Sequence, residues 1–200
     1  GMHNRVIRTS MTMKRIFDLA RKETRRVVFA EGEEEMVLQT AQQAVEEGIA
    51  YPILIGRRAV IERRLASLGL SLRLDEDCRV VDPQDNPDRE AHYAAFYQRA
   101  KRRGFTPAEA RVHIRGSATG LAAVLLRTGE ADAMISGTIG RYRSHLEQIE
   151  LIVGRARGVE HMVAMTAIVL PSGPVFIADT DVQTDPDTDA LVEITALCAD

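Results

Sequence analysis

From Arg26 onward, short apolar runs of strand type alternate with amphipathic stretches of helical length. That alternation restricts the chain to a parallel sheet covered by helices, because parallel neighbours need a long crossover and a helix is the usual one. Val27-Val28-Phe29-Ala30 reads as a buried strand running through Glu31-Gly32 into a helix with apolar positions Val37, Ala41, Ala44 and Val45, ending at Gly48. Tyr51–Ile55 is the next strand, Ala59–Leu68 an amphipathic helix stopped by Gly69, and Arg79-Val80-Val81 a third strand ended by Asp82-Pro83. Tyr93, Phe96, Tyr97 and Ala100 recur at helical spacing and form one core face. Thr106-Pro107-Ala108-Glu109 is a capping box with proline at the first helical position, and Ser117 is placed to cap a helix carrying Leu121, Val124 and Leu125. The strand Ala133–Ile135 and a helix bearing Leu146, Ile149, Ile152 and Val153 close the series at Gly154.

After Gly158 the texture changes. Met162–Leu170 and Val175–Ala178 are apolar runs separated by Pro171-Ser172-Gly173-Pro174, a hairpin signature that makes this part of the sheet mixed. A last helix begins near Asp187 and carries Leu191, Ile194 and Leu197. Two hundred residues suffice for one good core or a domain and a half. With 45% hydrophobic and 28% charged residues the composition is that of a soluble globular protein. A net charge of −3 gives no reason to expect nucleic acid or an anionic membrane as partner. Lys101-Arg102-Arg103 reads as cations closing a helix. Cys78 and Cys198 lack CxxC spacing and read as bystander thiols in a reducing compartment. No apolar run approaches the ~20 residues of a membrane span and no signal-peptide core is present, so the expected location is cytoplasmic. Gly1 before Met2 reads as a remnant of tag cleavage.

The segment Ala131–Val153 carries the chemistry: an apolar strand, the turn Ser136-Gly137-Thr138, then an amphipathic helix. That order delivers a small hydroxyl-bearing turn to the carboxyl edge of a parallel sheet, where open α/β folds bind ligands. Ser136, Gly137 and Thr138 are therefore the candidate ligand-binding residues, set against the plain reading of a strand-to-helix connection. Ser136 lacks the GxSxG elbow of a nucleophile, and no catalytic residue is assigned. Glu33-Glu34-Glu35 at a helix start satisfies the dipole and repels phosphate. No GxGxxG or Walker pattern exists. Asp179-Thr180-Asp181 with Asp185, Asp187 and Asp189 fails the EF-hand template and reads as a turn plus a helix cap, so no metal site is expected. His3, His92, His113, His145 and His161 show no paired ligand spacing; His145, beside the turn, reads as solvated or capping.

The order of motifs from about Arg26 to Asp200 resembles the amino-terminal part of the phosphate acetyltransferase (phosphotransacetylase) family. The matching pieces are RVVFAEGEEE, FYQRAKRRGFTPAEA, GEADAMISGTIG and FIADTDVQTDPDTDALVEI. Within it, RRVVFAEGEEE, GEADAMISGTIGRY, the insert Gly154–His161 (GRARGVEH) and LPSGPVFIADT resemble one branch, the acetyltransferase-like carboxyl-terminal domain of hybrid NADP-dependent malic enzymes. Val6–Phe17 resembles that branch's linker to its malic domain, and the resemblance implies a piece of a longer polypeptide. The resemblance implies a three-layer α/β/α fold with a mainly parallel sheet, of the isocitrate/isopropylmalate dehydrogenase-like type. Residues 1–20 then form the tag remnant, linker and helix; 21–155 form a first lobe; 156–200 begin a second lobe that is incomplete here.

The resemblance also implies the function. The family arginine on the helix after the Ser-Gly turn matches Glu147, and a second substrate-binding arginine matches Ala100, with Arg99 adjacent on another helical face. The family's catalytic serine–arginine pair and general-base aspartate lie farther along than Asp200. The expected role is a regulatory acetyl-CoA-binding and oligomerisation domain of an NADP-dependent malic enzyme, without transferase activity of its own. Alternatives are an active phosphate acetyltransferase and a purely structural oligomerisation module. No cofactor is expected in this piece; acetyl-CoA is the effector, and NADP and a divalent metal belong to the malic domain of the parent chain. Expected partners are a second copy in a dimer, that malic domain and a small acyl-CoA.

Overall fold

Four short strands pair side by side in parallel, in the order β3-β2-β1-β4. The computed structural model describes residues 11–170, 173–179 and 182–199. After helix α1 (Met11–Lys22) the chain runs β1 (Arg25–Phe29), α2 (Glu35–Glu46), β2 (Ala50–Ile55), α3 (Arg58–Leu68), β3 (Arg79–Val81), α4 (Arg89–Ala100), α5 (Pro107–Gly116), α6 (Ala118–Thr128), β4 (Ala133–Ile135) and α7 (Tyr142–Ile152). Ala20–Gly154 is one compact unit; the described chain up to Leu19 groups with that from Arg155 on as a second.

The strands' period of two sorts their side chains onto opposite faces and so makes three layers. Val28, Ala30, Ile53, Ile55 and Val81 face one way, onto Phe96 and Ala100 of α4, Ile114 of α5, Leu121, Val124 and Leu125 of α6, and Ile152 of α7. Phe29 and Leu54 face the other way, onto Val37, Leu38 and Ala41 of α2 and Ile61 and Leu65 of α3. Phe96 lies at the centre of the first layer, stacked on His113 with centroids 4.8 Å apart and edge-on to Phe105 at 5.3 Å. Each such buried side chain contributes roughly 1.5–3 kcal/mol.

Local signals set the helix ends. The Thr106 hydroxyl accepts from the Glu109 N–H while the Glu109 carboxylate accepts from the Thr106 N–H, the reciprocal box that the sequence spells out. Ser117 caps α6 by accepting from the Gly120 N–H at 2.9 Å. The expected linker is helical from Met11; residues 6–10 lie outside the described residues.

In the second unit, β5 (Met165–Leu170) and β6 (Gly173–Ala178) pair antiparallel in a two-stranded sheet of their own, followed by α8 (Thr188–Ala199). The expected mixed sheet is thereby corrected: among the described residues, the hairpin strands pair only with each other. Pro171 and Ser172 of the expected hairpin turn lie outside the described residues. Asp187 caps α8, accepting from Ala190 N–H at 2.9 Å. Ala190 and Ile194 form its buried face, whereas Leu191 and Leu197 are exposed. The Glu193 carboxylate gathers the N–H groups of Glu160 and His161 and the His161 ring, which together hold it below the usual carboxylate range. Asp179 accepts from Gln183 N–H at 2.9 Å, a turn-forming role; Thr180 and Asp181 of the acidic cluster lie outside the described residues.

Candidate functional site

The strand order puts the topological switch point between β1 and β4: the chain leaves β1 towards β2 and β3, then returns to β1's other side. Ligands of open α/β sheets bind outside the carboxyl ends of the strands at such a point. Here it carries Glu31, two residues past β1, and the Ser136-Gly137-Thr138 turn, directly after β4. The register Phe29↔Ile135, prolonged by an Ala30 N–H bond to the Ile135 carbonyl, brings Glu31 level with Gly137. Gly137 donates its N–H to Glu31 Oε1 at 3.0 Å. The Glu31 residue is only 9% exposed. Gly137 has φ +106°, a conformation open to glycine and strained for any other residue. The Gly137 N–H is therefore not open to a ligand as it stands; a carboxylate already holds it.

His145 of α7 fastens the loop from beneath. Its Nε2 lies 2.8 Å from the Ile139 carbonyl and its Nδ1 2.7 Å from the Thr119 hydroxyl at the start of α6. A carbonyl only accepts, so in the neutral ring Nε2 carries the proton and Nδ1 accepts from Thr119. Glu31 Oε1 stands 4.0 Å from Nδ1. His145 is thus neither solvated nor a cap, as its sequence position suggests, but a tie between α6, α7 and the turn. Gly140 makes room for it, since a Cβ there meets Nε2 at 2.8 Å.

A cleft of about 260 Å³ opens along the same edge, lined by residues following β1, β2 and β3, by the α5–α6 turn and by Ile139. Its charged lining is Glu31, Glu33 and Glu34 against Arg57 and Arg115, a negative balance. Arg57 is already engaged: its guanidinium grips Glu33 at 2.7 and 2.8 Å and holds that carboxyl below the usual range, with Arg64 adding attraction. Gly56 allows this, because a Cβ there meets Glu33 Cγ at 2.6 Å. The glutamate run stands at the start of α2 as read, with Glu34 the N-cap without a side-chain bond and Glu35 in the first turn, while Glu33 and Glu34 also pair with Arg57 and Arg64 at α3. Gly32 lies so close to β2 that a Cβ meets the Ile55 carbonyl at 2.8 Å.

Of the expected ligand residues, Ser136 is half-buried and Thr138 exposed, neither hydroxyl having a partner among the described residues. Glu147 is exposed on α7 and pairs with Arg143 at 3.6 Å. Ala100 is fully buried, and Arg99 donates to the Ile152 carbonyl at 3.1 Å. Sequence reasoning missed Glu31, which nothing in AEGEEE separates from its neighbours. It also missed the buried His92, whose ring joins Asn86 at 3.1 Å to Glu130 at 2.8 Å. Burial pushes the Glu130 carboxyl up, but its bonds to His92 and Arg79 outweigh this and hold it low. Burial pushes the Cys78 thiol up to about 12. Among the described residues no three His, Cys, Asp or Glu side chains converge to hold a metal ion, and no helix is long and apolar enough to cross a membrane.

The family model for phosphate acetyl/butaryl transferase matches residues 11–200. An NADP-dependent malic enzyme of Haemophilus influenzae is 42% identical over 195 residues, covering 98% of this chain and 26% of that protein. A phosphate acetyltransferase of Clostridium acetobutylicum is 26% identical over 191 residues, covering 92% of this chain and 56% of that one. The fold matches a phosphotransacetylase from Streptococcus pyogenes with TM-score 0.81 at 23% identity, over 92% of this chain and 56% of that one. The chain thus spans about a quarter of the malic enzymes it resembles, and between about a quarter and a half of the phosphate acetyltransferases.

Proposed function

The chain belongs to the phosphate acetyl/butaryl transferase family, and from that premise we propose that it serves as an acetyl-CoA-binding regulatory and oligomerisation domain of a malic enzyme, without transferase turnover of its own. The relation to malic enzymes is the stronger one in identity and extends over nearly the whole chain. One observation carries the reading. Neither position matched to a family arginine offers a cation, since Ala100 is sealed in the core and Glu147 is a solvated carboxylate. Acetyl transfer to phosphate requires positive charge where phosphate and the thioester oxyanion sit. The cleft lining is negative instead, and the Gly137 donor is occupied by Glu31. An acyl-CoA meets these conditions better than free phosphate, because its neutral pantetheine arm takes hydrogen bonds from the hydroxyls of Ser136 and Thr138.

The oligomerisation half is supported by the hairpin. Met165, Ile168, Val169 and Leu170 on β5 and Val175, Phe176 and Ile177 on β6 are all exposed, the kind of contiguous apolar surface that marks interfaces. A cytoplasmic setting accords with the two free cysteines. In such a parent, acetyl-CoA inhibits the malic domain, with its NADP and divalent metal, by binding two arrangements of the oligomer unequally.

The test is calorimetric titration of acetyl-CoA into the chain together with an assay of acetyl exchange between CoA and phosphate in the full-length parent. Binding without exchange is expected. In the parent, Gly137→Val should relieve acetyl-CoA inhibition and leave malate turnover without effector intact. Robust exchange by the unmodified parent, or undiminished inhibition in a folded Gly137→Val parent, overturns the reading.

A further inference from the structure

A second cavity, of about 240 Å³, opens between the first turn of α4 and the outer face of α5, sharing Gln84 and Arg115 with the cleft. Its wall carries Arg89, Arg111 and Arg115 against one carboxylate, Glu90. Arg111 Nη2 donates to Glu90 Oε2 at 3.1 Å. The guanidinium groups of Arg89 and Arg115 have no partner among the described residues. No aspartate of the β3–α4 loop lines the cavity: Asp82 accepts from the backbone of Arg58 and Gln84, and Asp88 faces Arg79 at 3.5 Å.

Two of these cations, Arg89 and Arg111, stand where their own helices disfavour them. Arg111 and Arg115 are four residues apart on α5 and share a face, and like charges at that spacing weaken a helix. Arg89 is the first residue of α4, where the positive end of the macrodipole repels a cation. Complementing the carboxyl end of a helix accounts for Arg115 but for neither of the others. A chain of formal charge −3 thus concentrates three guanidiniums around one hollow.

We infer that this cavity binds a phosphate-bearing anion, held by the guanidinium forks of Arg89, Arg111 and Arg115 with the Gln84 amide as a further donor. Planar guanidiniums match phosphate oxygens in pairs, and three from two helices set both charge and orientation. The phosphate is either a free anion or the phosphate end of a longer ligand lying in the adjoining cleft. The site is independent of the acyl-CoA reading, because pyrophosphate tests it with no coenzyme present.

Titration calorimetry of the chain with pyrophosphate, coenzyme A and phosphate-free pantetheine, repeated for Arg89→Gln, Arg115→Gln and Glu90→Gln, decides the matter. Each arginine replacement should weaken binding of a phosphate-bearing ligand roughly ten-fold or more, the loss of one charge-assisted bond. Glu90→Gln should tighten it by freeing Arg111, a change of opposite sign that no structural role produces. Affinity should fall as salt rises, and pantetheine should be indifferent to all three changes. Arg89→Gln should not lower the melting temperature, since it relieves repulsion by the positive end of α4. A loss seen with pyrophosphate marks a site for the free anion; a loss confined to coenzyme A marks a subsite for the coenzyme's phosphates. Unchanged affinity for both in the two arginine variants, or binding of neither by the unmodified chain, overturns the inference.

Discussion

Replacing Glu31 by glutamine and by alanine should separate two effects of one carboxylate: holding the turn and repelling anions. The bond from Gly137 N–H at 3.0 Å is charge-assisted, and its acceptor Glu31 is buried. Such bonds contribute about 1.5–3 kcal/mol and neutral ones about 0.5–1.5 kcal/mol. Glu31→Gln retains an acceptor and loses the charge, so it should cost about 1 kcal/mol. Glu31→Ala removes the acceptor, but Gly137 itself is exposed and water can reach its N–H. The loss should then be about 2 kcal/mol, towards the lower end of the penalty for an orphaned donor plus the missing side chain. Urea unfolding followed by circular dichroism gives the two stabilities, and amide hydrogen exchange at Gly137 reports the bond itself. Protection at Gly137 should drop in Glu31→Ala and persist in part in Glu31→Gln. Affinity for a phosphate-bearing ligand should move the other way, rising in both variants as the cleft loses a negative charge and the donor is freed. Unaltered Gly137 exchange in Glu31→Ala would refute the reasoning, since the carboxylate then does not hold the turn.

Gly140→Ala places a Cβ 2.8 Å from His145 Nε2 in a backbone with φ +101°, so it should destabilise by roughly 1–3 kcal/mol; thermal unfolding gives the loss. The Asp132 carboxyl is held down to about 2 by the Arg26 side chain and backbone N–H, against about 3.9 when unfolded. Its stabilisation is therefore complete above pH 4 and fades as pH falls towards 2; Asp132→Asn should be less stable near neutrality and lack that acid dependence in pH-dependent unfolding. Phe96→Ala empties the centre of the helical layer, where the ring is fully buried between Phe105 and His113, and should cost about 3–5 kcal/mol in urea unfolding. The thiol of Cys78, pushed up to about 12 by burial, should resist a thiol reagent at neutral pH in the native chain and react once urea unfolds it.

What was legible in the sequence was whatever short-range periodicity encodes. The unbroken apolar runs Val27-Val28-Phe29-Ala30 and Tyr51–Ile55, alternating with helical stretches, marked strands covered by helices, and each is buried on both faces. Thr106 and Ser117 announced their caps, since a cap is a bond across three residues. The candidate site was legible only as a location. Glu31 and Gly137 lie 106 residues apart, and His145 lies 26 residues from Thr119. Those bonds exist because the sheet aligns β1 with β4 and packs α6 beside α7, facts that no local pattern carries. The buried face of α8 was not legible for a related reason: spacing gives a stripe of Leu191, Ile194 and Leu197, but Ala190 and Ile194 are covered while the larger Leu191 is not. The hairpin's pairing was clear from its punctuation, whereas its separation from the parallel sheet depends on partners that the strands themselves do not specify.

The carboxyl edge of this sheet satisfies most of its own polar groups. Gly137 N–H is held by Glu31, Arg57 by Glu33, and both His145 nitrogens by Thr119 and Ile139. A small anion at the turn must therefore displace an internal partner while facing a negative lining, and each displaced charge-assisted bond subtracts from its affinity. Among the described residues, the hydroxyls of Ser136 and Thr138 at the turn and the guanidiniums of Arg89 and Arg115 at the second cavity have no internal partner. One set suits neutral acceptors and the other phosphate. A long ligand with a neutral arm and a phosphorylated end uses both sets at once, its second contact becoming intramolecular once the first is made. Discrimination on this edge should accordingly follow the length and polarity of the ligand more than its charge. Affinity that rises from pantetheine to coenzyme A, and that loses this increment in Arg115→Gln, is the expected signature; pyrophosphate competing fully with pantetheine would contradict it.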